Sequence, residues 1–275
     1  MTKEVEITMK KSMLVLAGAM ACSMLLAGCG GAPQTGAPAA GGKDSNKLIV
    51  YTSMKENLIK GIVEGFKKKY PDIQVDYQSA GAGKLMAKIA AEKQSGKILA
   101  DVIWTSEVPD FYSMKKQDML EIYKTPILKE LVNPFDDYDG SFTAARLGTL
   151  GIVINTDKIK TPPTQWADLL KPEYNKGFGV ANPALSGTSY MSIAILEKKF
   201  GWDYFEKLHK NGARIGKGSG EVIDDTSSGE LTASLGVDYI TNGKISKGAH
   251  LQMCYPPELL VVPSPVAIFK GTTKL

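Results

Sequence analysis

Arginine is nearly missing from this chain of 275 residues. Of its 33 basic side chains, all but Arg146 and Arg214 are lysine. The net charge is only +4. Nucleic-acid recognition leans on arginine forks and on a strong local basic excess, so a nucleic-acid partner is not expected. Three cysteines and two histidines leave little for a zinc site or a disulfide framework. There is no H-E-x-x-H, no C-x-x-C and no G-x-S-x-G, and no repeat of fixed period. No metal and no cofactor is therefore expected. His209 and His250 read as surface histidines. Hydrophobic residues make up 43% of the chain, enough for a sizeable core and too much for long-range disorder.

The N-terminus reads as targeting rather than fold. Lys3, Lys10 and Lys11 precede Met13 to Ala27, an uncharged, largely apolar run of 15 residues. A membrane-spanning helix needs about 20, so the run fits a signal peptide. Leu26-Ala27-Gly28-Cys29 follows at once and resembles the bacterial lipobox, which implies a signal peptide over 1–28 and a lipid on Cys29. Residues 29–46 are rich in Gly, Ala and Pro without apolar periodicity, a flexible tether. Cys22 leaves with the signal and only Cys254 remains besides Cys29, so no intramolecular disulfide is expected.

The body alternates strand and helix signals. Leu48–Tyr51, Ile73–Tyr77 and Ala100–Trp104 read as strands, with helices at Glu56–Lys69 and Lys84–Gln94 between them. Leu147–Asn155 is a further apolar strand. A second set follows Pro162-Pro163: strand Phe178–Ala181, helices Ser186–Phe200 and Trp202–Lys210, strand Ala213–Ile215, helix Glu221–Ser228 and strand Leu235–Val237. Met253–Ile268, with several prolines, reads as extended. This rhythm predicts an α/β fold of βαβ units on a parallel sheet.

In such sheets ligands sit where strands end and helices begin. Ser53 follows the first strand. Ser79, Gly81 and Ala82 open the second helix. Glu107 follows the third strand. Ser186, Gly187 and Thr188 open the long second-half helix, and Lys217-Gly218-Ser219-Gly220 forms one more loop of this kind, with Asp224 and Asp225 behind it. Free backbone N–H groups and hydroxyls at a helix start favour a small oxyanion; the same residues also serve as ordinary helix caps. Gly81-Ala82-Gly83-Lys84 looks like the end of a phosphate-binding P-loop. It fails, because Gln78 stands at the first glycine and Leu85 where Ser or Thr must hold magnesium.

Several segments carry a family resemblance: YTSMKENL (51–58), YQSAGAGKLMAKIAAE (77–92), DVIWTSEVPDF (101–111), FTAARLGTLGIVIN (142–155), ANPALSGTSYMS (181–192), GKGSGEVIDDTSSGE (216–230) and VDYITN (237–242). Together they resemble bacterial ABC-transporter substrate-binding proteins of family 1, the ferric-iron type that includes 2-aminoethylphosphonate binders. The resemblance implies a two-lobed type 2 periplasmic-binding fold, with lobe 1 over 47–147, lobe 2 over 148–255 and a return toward lobe 1 over 256–275. It places the crossovers near Gly148–Asn155 and Pro256–Pro265. It also implies a monomer outside the cytoplasmic membrane, anchored by its N-terminal lipid, that delivers a small anionic solute to a membrane permease. On this reading Ser53, Ser79, Gly81, Ala82, Ser186, Gly187 and Thr188 hold the oxyanion of a phosphonate or phosphate ester. Glu107, Asp225 or Asp238 holds an amine, with 2-aminoethylphosphonate the specific expectation. Ferric binders of this group use two adjacent tyrosines, whereas Val237-Asp238-Tyr239-Ile240-Thr241 has one. Ferric iron held by Tyr239 is therefore the competing ligand. A lipid-anchored hydrolase is the competing class, separated by turnover; the chain itself reads as a binding protein and not an enzyme. Family members continue past VAIFKGTTKL with further helices, so apolar surface left open on lobe 1 is expected here.

Overall fold

In the computed structural model the described residues are 46–131, 133, 135 and 138–274. The expectations for the signal, the tether up to residue 45 and Cys29 lie outside them. The strands are β1 (Lys47–Thr52), β2 (Gln74–Ser79), β3 (Val102–Trp104), β4 (Thr143–Asn155), β5 (Phe178–Ala181), β6 (Arg214–Gly216), β7 (Ala233–Val237), β8 (Leu251–Cys254) and β9 (Leu260–Ile268). The α-helices are α1 (Glu56–Lys69), α2 (Ala82–Gln94), α3 (Val108–Lys116), α4 (Gly187–Phe200), α5 (Trp202–Lys210), α6 (Ser219–Ser228) and α7 (Asp238–Ile245).

All nine strands join one sheet in the order β2-β1-β3-β9-β4-β7-β5-β6, with β8 also on β4. The expected parallel pairing holds in two blocks: β1 with β2 and β3, and β5 with β6 and β7. The centre corrects it. There β4 and β9 run antiparallel to each other, and β4 to β7 and β8. The residues between 253 and 268, expected as extended crossover, form β8 and β9.

Two cores flank this centre. One gathers Tyr51, Leu85, Ile89, Ile103, Phe111 and Met114 with Phe142, Ala267 and Phe269. The other gathers Leu150, Ile152, Ile154, Trp166, Leu169, Tyr174, Leu196, Tyr204 and Leu235 with Leu260 and Val262. Burying each of these large side chains contributes roughly 1.5–3 kcal/mol. The chain therefore passes from the first core to the second between Phe142 and Leu150, earlier than Gly148–Asn155. It returns between Val262 and Ala267. A bulge interrupts the pairing between Ala144 and Arg146, where the crossing begins.

Pro263 and Pro265 sit inside β9, opposite Leu147 and Ala144. A strand interior rejects proline unless its missing N–H has no partner to lose. The Pro265 carbonyl faces the β3 side, where it accepts the Thr105 N–H at 3.3 Å, and β3 has already ended at Trp104. Both prolines thus lie where β9 runs past the end of β3, and Pro265, which cannot return the Thr105 bond, marks where that pairing stops.

On α1, whose apolar residues fall at helical spacing, only Ile59 is buried; Ile62 is 37% exposed. Two helices carry little sequence signal. In α3, nine residues long, Pro109 stands in the first turn. In α7, β-branched Ile240 and Thr241 and Gly243 lower the helix propensity.

Candidate functional site

Six helices, α1, α2, α3, α4, α6 and α7, each follow directly on one of the parallel strands β1, β2, β3, β5, β6 and β7. Their N-termini thus lie at the carboxyl ends of the two parallel blocks. Each brings unsatisfied N–H groups and a partial positive charge. The two sets of loops face each other across a closed cleft. A Cβ on Gly81 would lie 2.4 Å from the Leu185 carbonyl oxygen, and one on Gly83 would lie 2.1 Å from that of Ala184. A Cβ on Gly187 would lie 2.6 Å from Glu107 Cγ.

The most concentrated polar feature is a triangle of hydroxyls. Ser186 Oγ lies 3.2 Å from Thr188 Oγ1 and 3.0 Å from Ser219 Oγ, and the last two are 3.2 Å apart. Ser186 caps α4 and accepts the Ser189 N–H at 3.4 Å. Ser219 is the first residue of α6, so the triangle joins two helix N-termini. From the facing lobe, Lys55 Nζ reaches α6, coming within 2.9 Å of a Cβ built on Gly220. Hydroxyls, helix N-termini and an ammonium are the kinds of group that can bind an oxyanion.

Ser219 lay in a loop recognised from the sequence but outside the expected contact set. The apolar pattern places the helix start at Glu221, whereas α6 begins two residues earlier. That shift brings Ser219 into the first turn beside Ser186. The Gly-Ser-Gly before the acidic run, a helix-start signature, was the usable signal.

The other expected residues divide. Glu107 is buried, at 9% exposed, and stands against Gly187 at the start of α4. Burial, together with a hydrogen bond and repulsion from Asp110, pushes its carboxyl up to about 8. Asp110 Oδ2 is buried with no hydrogen-bond partner. Ser53 is half-buried and its N–H donates to the Trp104 carbonyl at 3.2 Å. Ser79 Oγ donates to the Met54 carbonyl at 2.5 Å, so it ties two loops together while its lone pairs remain. Gly81 caps α2, and Ala82 is buried behind it. Asp238 and Tyr239 open α7, where the Asp238 carboxylate accepts the Tyr239 N–H at 2.6 Å. Asp225 lies farther along α6, among Glu230, Glu221 and Arg214, and burial first and then Glu230 raise its pKa. No described contact joins it to the triangle.

Arg146, absent from the expected set, is the other cation here. Its guanidinium lies 5.0 Å from the Tyr239 ring centre and donates to Ser264 Oγ at 3.1 Å.

The family model for bacterial extracellular solute-binding proteins matches residues 97–275. The chain belongs to that family. A Salmonella typhimurium (strain LT2) relative, named for binding 2-aminoethylphosphonate in the periplasm, is 26% identical over 184 residues, 64% of this chain and 50% of the relative. An Fe(3+)-binding periplasmic protein of Serratia marcescens is 25% identical over 197 residues, 68% of this chain and 56% of that one. The chain thus spans about half the length of the curated relatives it matches. Among solved structures, the periplasmic binding protein AfuA of Actinobacillus pleuropneumoniae, with fructose-6-phosphate bound, superposes with a TM-score of 0.75 at 28% identity, covering 83% of this chain and 75% of that one. The fold of this solute-binding protein is the type 2 periplasmic-binding fold, as the sequence led us to expect. These relatives are binding proteins rather than enzymes.

Proposed function

We propose that this solute-binding protein captures a small oxyanion-bearing solute, an organophosphonate or phosphate ester, in the cleft between its lobes. It then presents the solute to the permease of an ABC importer, held at the membrane through Cys29. The observation that carries this reading is the triangle of Ser186, Thr188 and Ser219 at the meeting of two helix N-termini, with Lys55 reaching Gly220 in the first turn of α6. Glu107 and Asp110, beside the start of α4, supply a carboxyl pair that an ammonium would ionise. That combination favours 2-aminoethylphosphonate as the first ligand to try. Ferric iron fits less well, because the Tyr239 ring lies against the Arg146 guanidinium, and a trivalent cation there would be repelled.

Titration calorimetry with 2-aminoethylphosphonate, inorganic phosphate, fructose 6-phosphate and ferric citrate tests this reading. The expected result is heat with an organic phosphonate or phosphate ester and, in a Ser186→Ala, Thr188→Ala, Ser219→Ala triple variant, at least about tenfold weaker binding. Each lost hydrogen bond to a charged group costs roughly 1.5–3 kcal/mol. A coloured ferric complex without heat from any oxyanion would overturn it.

A further inference from the structure

The two arginines are placed differently. The second arginine, Arg214, is paired with Glu230 at 2.9 Å. Arg146 has no carboxylate within ion-pair distance among the described residues, and its Nε is shielded from solvent without a hydrogen-bond partner. It stands on β4 where the chain crosses between the cores, opposite Ser264 on the returning β9. Ser264 Oγ lies 2.9 Å from Ser106 Oγ, in the loop after β3. Tyr239, whose ring packs on the guanidinium, belongs to the first turn of α7. Both crossing strands and the first turn of α7 therefore meet at this one side chain, and the loop after β3 reaches it through Ser264. A contact path leads on from it: Ser264 to Ser106, then Glu107, then Gly187 beside the hydroxyl triangle. In the same loop the hydroxyl of Thr105, 1% exposed, also lacks a partner.

A shielded guanidinium donor with no acceptor from the protein is unfavourable. The planar fork of arginine suits a carboxylate or phosphate better than any neutral group. The Ser264 hydroxyl, itself paired with that of Ser106, accepts from the fork without neutralising it.

We propose that Arg146, with Ser106 and Ser264, forms a second anion-binding point at the floor of the cleft, so that the preferred solute carries an acidic group besides the one on the hydroxyl triangle. This rests on the oxyanion reading above and narrows it. With the Glu107–Asp110 pair between the two anion points, the solute is an amino acid bearing a phosphonate or phosphate.

Two probes differing by a single carboxylate decide the matter: 2-amino-3-phosphonopropionate and 2-aminoethylphosphonate. Calorimetry on the wild-type chain is expected to give at least about tenfold tighter binding of the first. In Arg146→Met the ratio between the probes should fall to about one, and in Arg146→Lys, which keeps the charge and loses the fork, it should lie between. The wild-type ratio needs no variant, so it stands even if Arg146→Met fails to fold. Equal affinities in the wild-type chain, or a ratio unchanged in a folded Arg146→Met, would overturn the second anion point and leave the oxyanion reading intact. If neither probe, nor phosphate, nor fructose 6-phosphate binds, both readings fall together.

Discussion

Glu107 couples the stability of this protein to pH. In the folded chain it titrates near 8, against an ordinary value of 4.5, because burial and Asp110 disfavour its charge. Between those values the native state holds a proton that the unfolded chain has released. Its stabilising effect is full below about 4.5, declines as pH rises toward 8 and is lost above that. The melting temperature should therefore fall between pH 5 and pH 8. Glu107→Gln, which cannot ionise, should melt higher than the wild type at pH 8 and show a shallower slope; identical slopes would refute the assignment. At this scale the sequence was informative where a residue's role follows from its neighbours in the chain. Ser186 and Thr188 flank a glycine at a helix start, and that pattern names them directly. Arg146 was not legible, because its partners Ser264, Ser106 and Tyr239 are distant in sequence and only the sheet brings them together. The carboxyl pair was half legible: Glu107 stood out as a loop acid, while Asp110 joins it only because α3 begins between them.

Among the elements, α2 and the loop before α4 set how tightly the cleft can shut. Gly83 stands in the first turn of α2, and any side chain there meets the Ala184 carbonyl oxygen. Backbone cannot yield as the end of a flexible side chain can, so Gly83→Ala should prop the lobes apart. The helix itself should gain, since alanine is the better helix former by about 1 kcal/mol. The expected signature is a larger radius of gyration by small-angle scattering and at least about tenfold weaker solute binding, with no loss of melting temperature. An unchanged radius and affinity would show that the contact is not a determinant of closure. Elements with strong periodicity were readable to the residue: α1, α5 and β5 begin and end where the pattern puts them. Those that lean on tertiary contacts were not. Ile240 packs on the second core and, with Ile245, on the cluster of Val153, Ile223 and Leu251, which supports α7 despite its poor propensity. The prolines of β9 hid a strand that survives because its neighbour stops short.

At the scale of the whole molecule, the described residues form two large cores and a smaller cluster of Val153, Ile223 and Leu251 on one sheet. The hydrogen-bonded ladder runs from β2 to β6 without a break, and β9, paired along its length with β4, contributes Leu260 and Val262 to one core and Ala267 to the other. Loss of either core therefore frays strands that the other needs. Calorimetric unfolding should show a single transition rather than one per lobe, shifted upward as a whole by the solute, by about 2.7 kcal/mol at 100 times Kd. Two resolved peaks would contradict it. The α/β alternation was plain in the sequence, as were the two sets of elements. That the sets share a sheet, through antiparallel strands at its centre, was not, because pairing between residues more than a hundred positions apart leaves no local pattern.

The path of the chain through that sheet also fixes an order of birth. The second core is assembled from Leu150 through Val262, a contiguous stretch that can close as soon as it emerges from the ribosome or a translocation pore. The first core must wait. Its strand β3 has β9 as a neighbour, and Ala267 and Phe269 belong to its interior. The lobe that is made first is thus the last to be finished, and until residue 269 arrives its half-built interior is the part most in need of a chaperone.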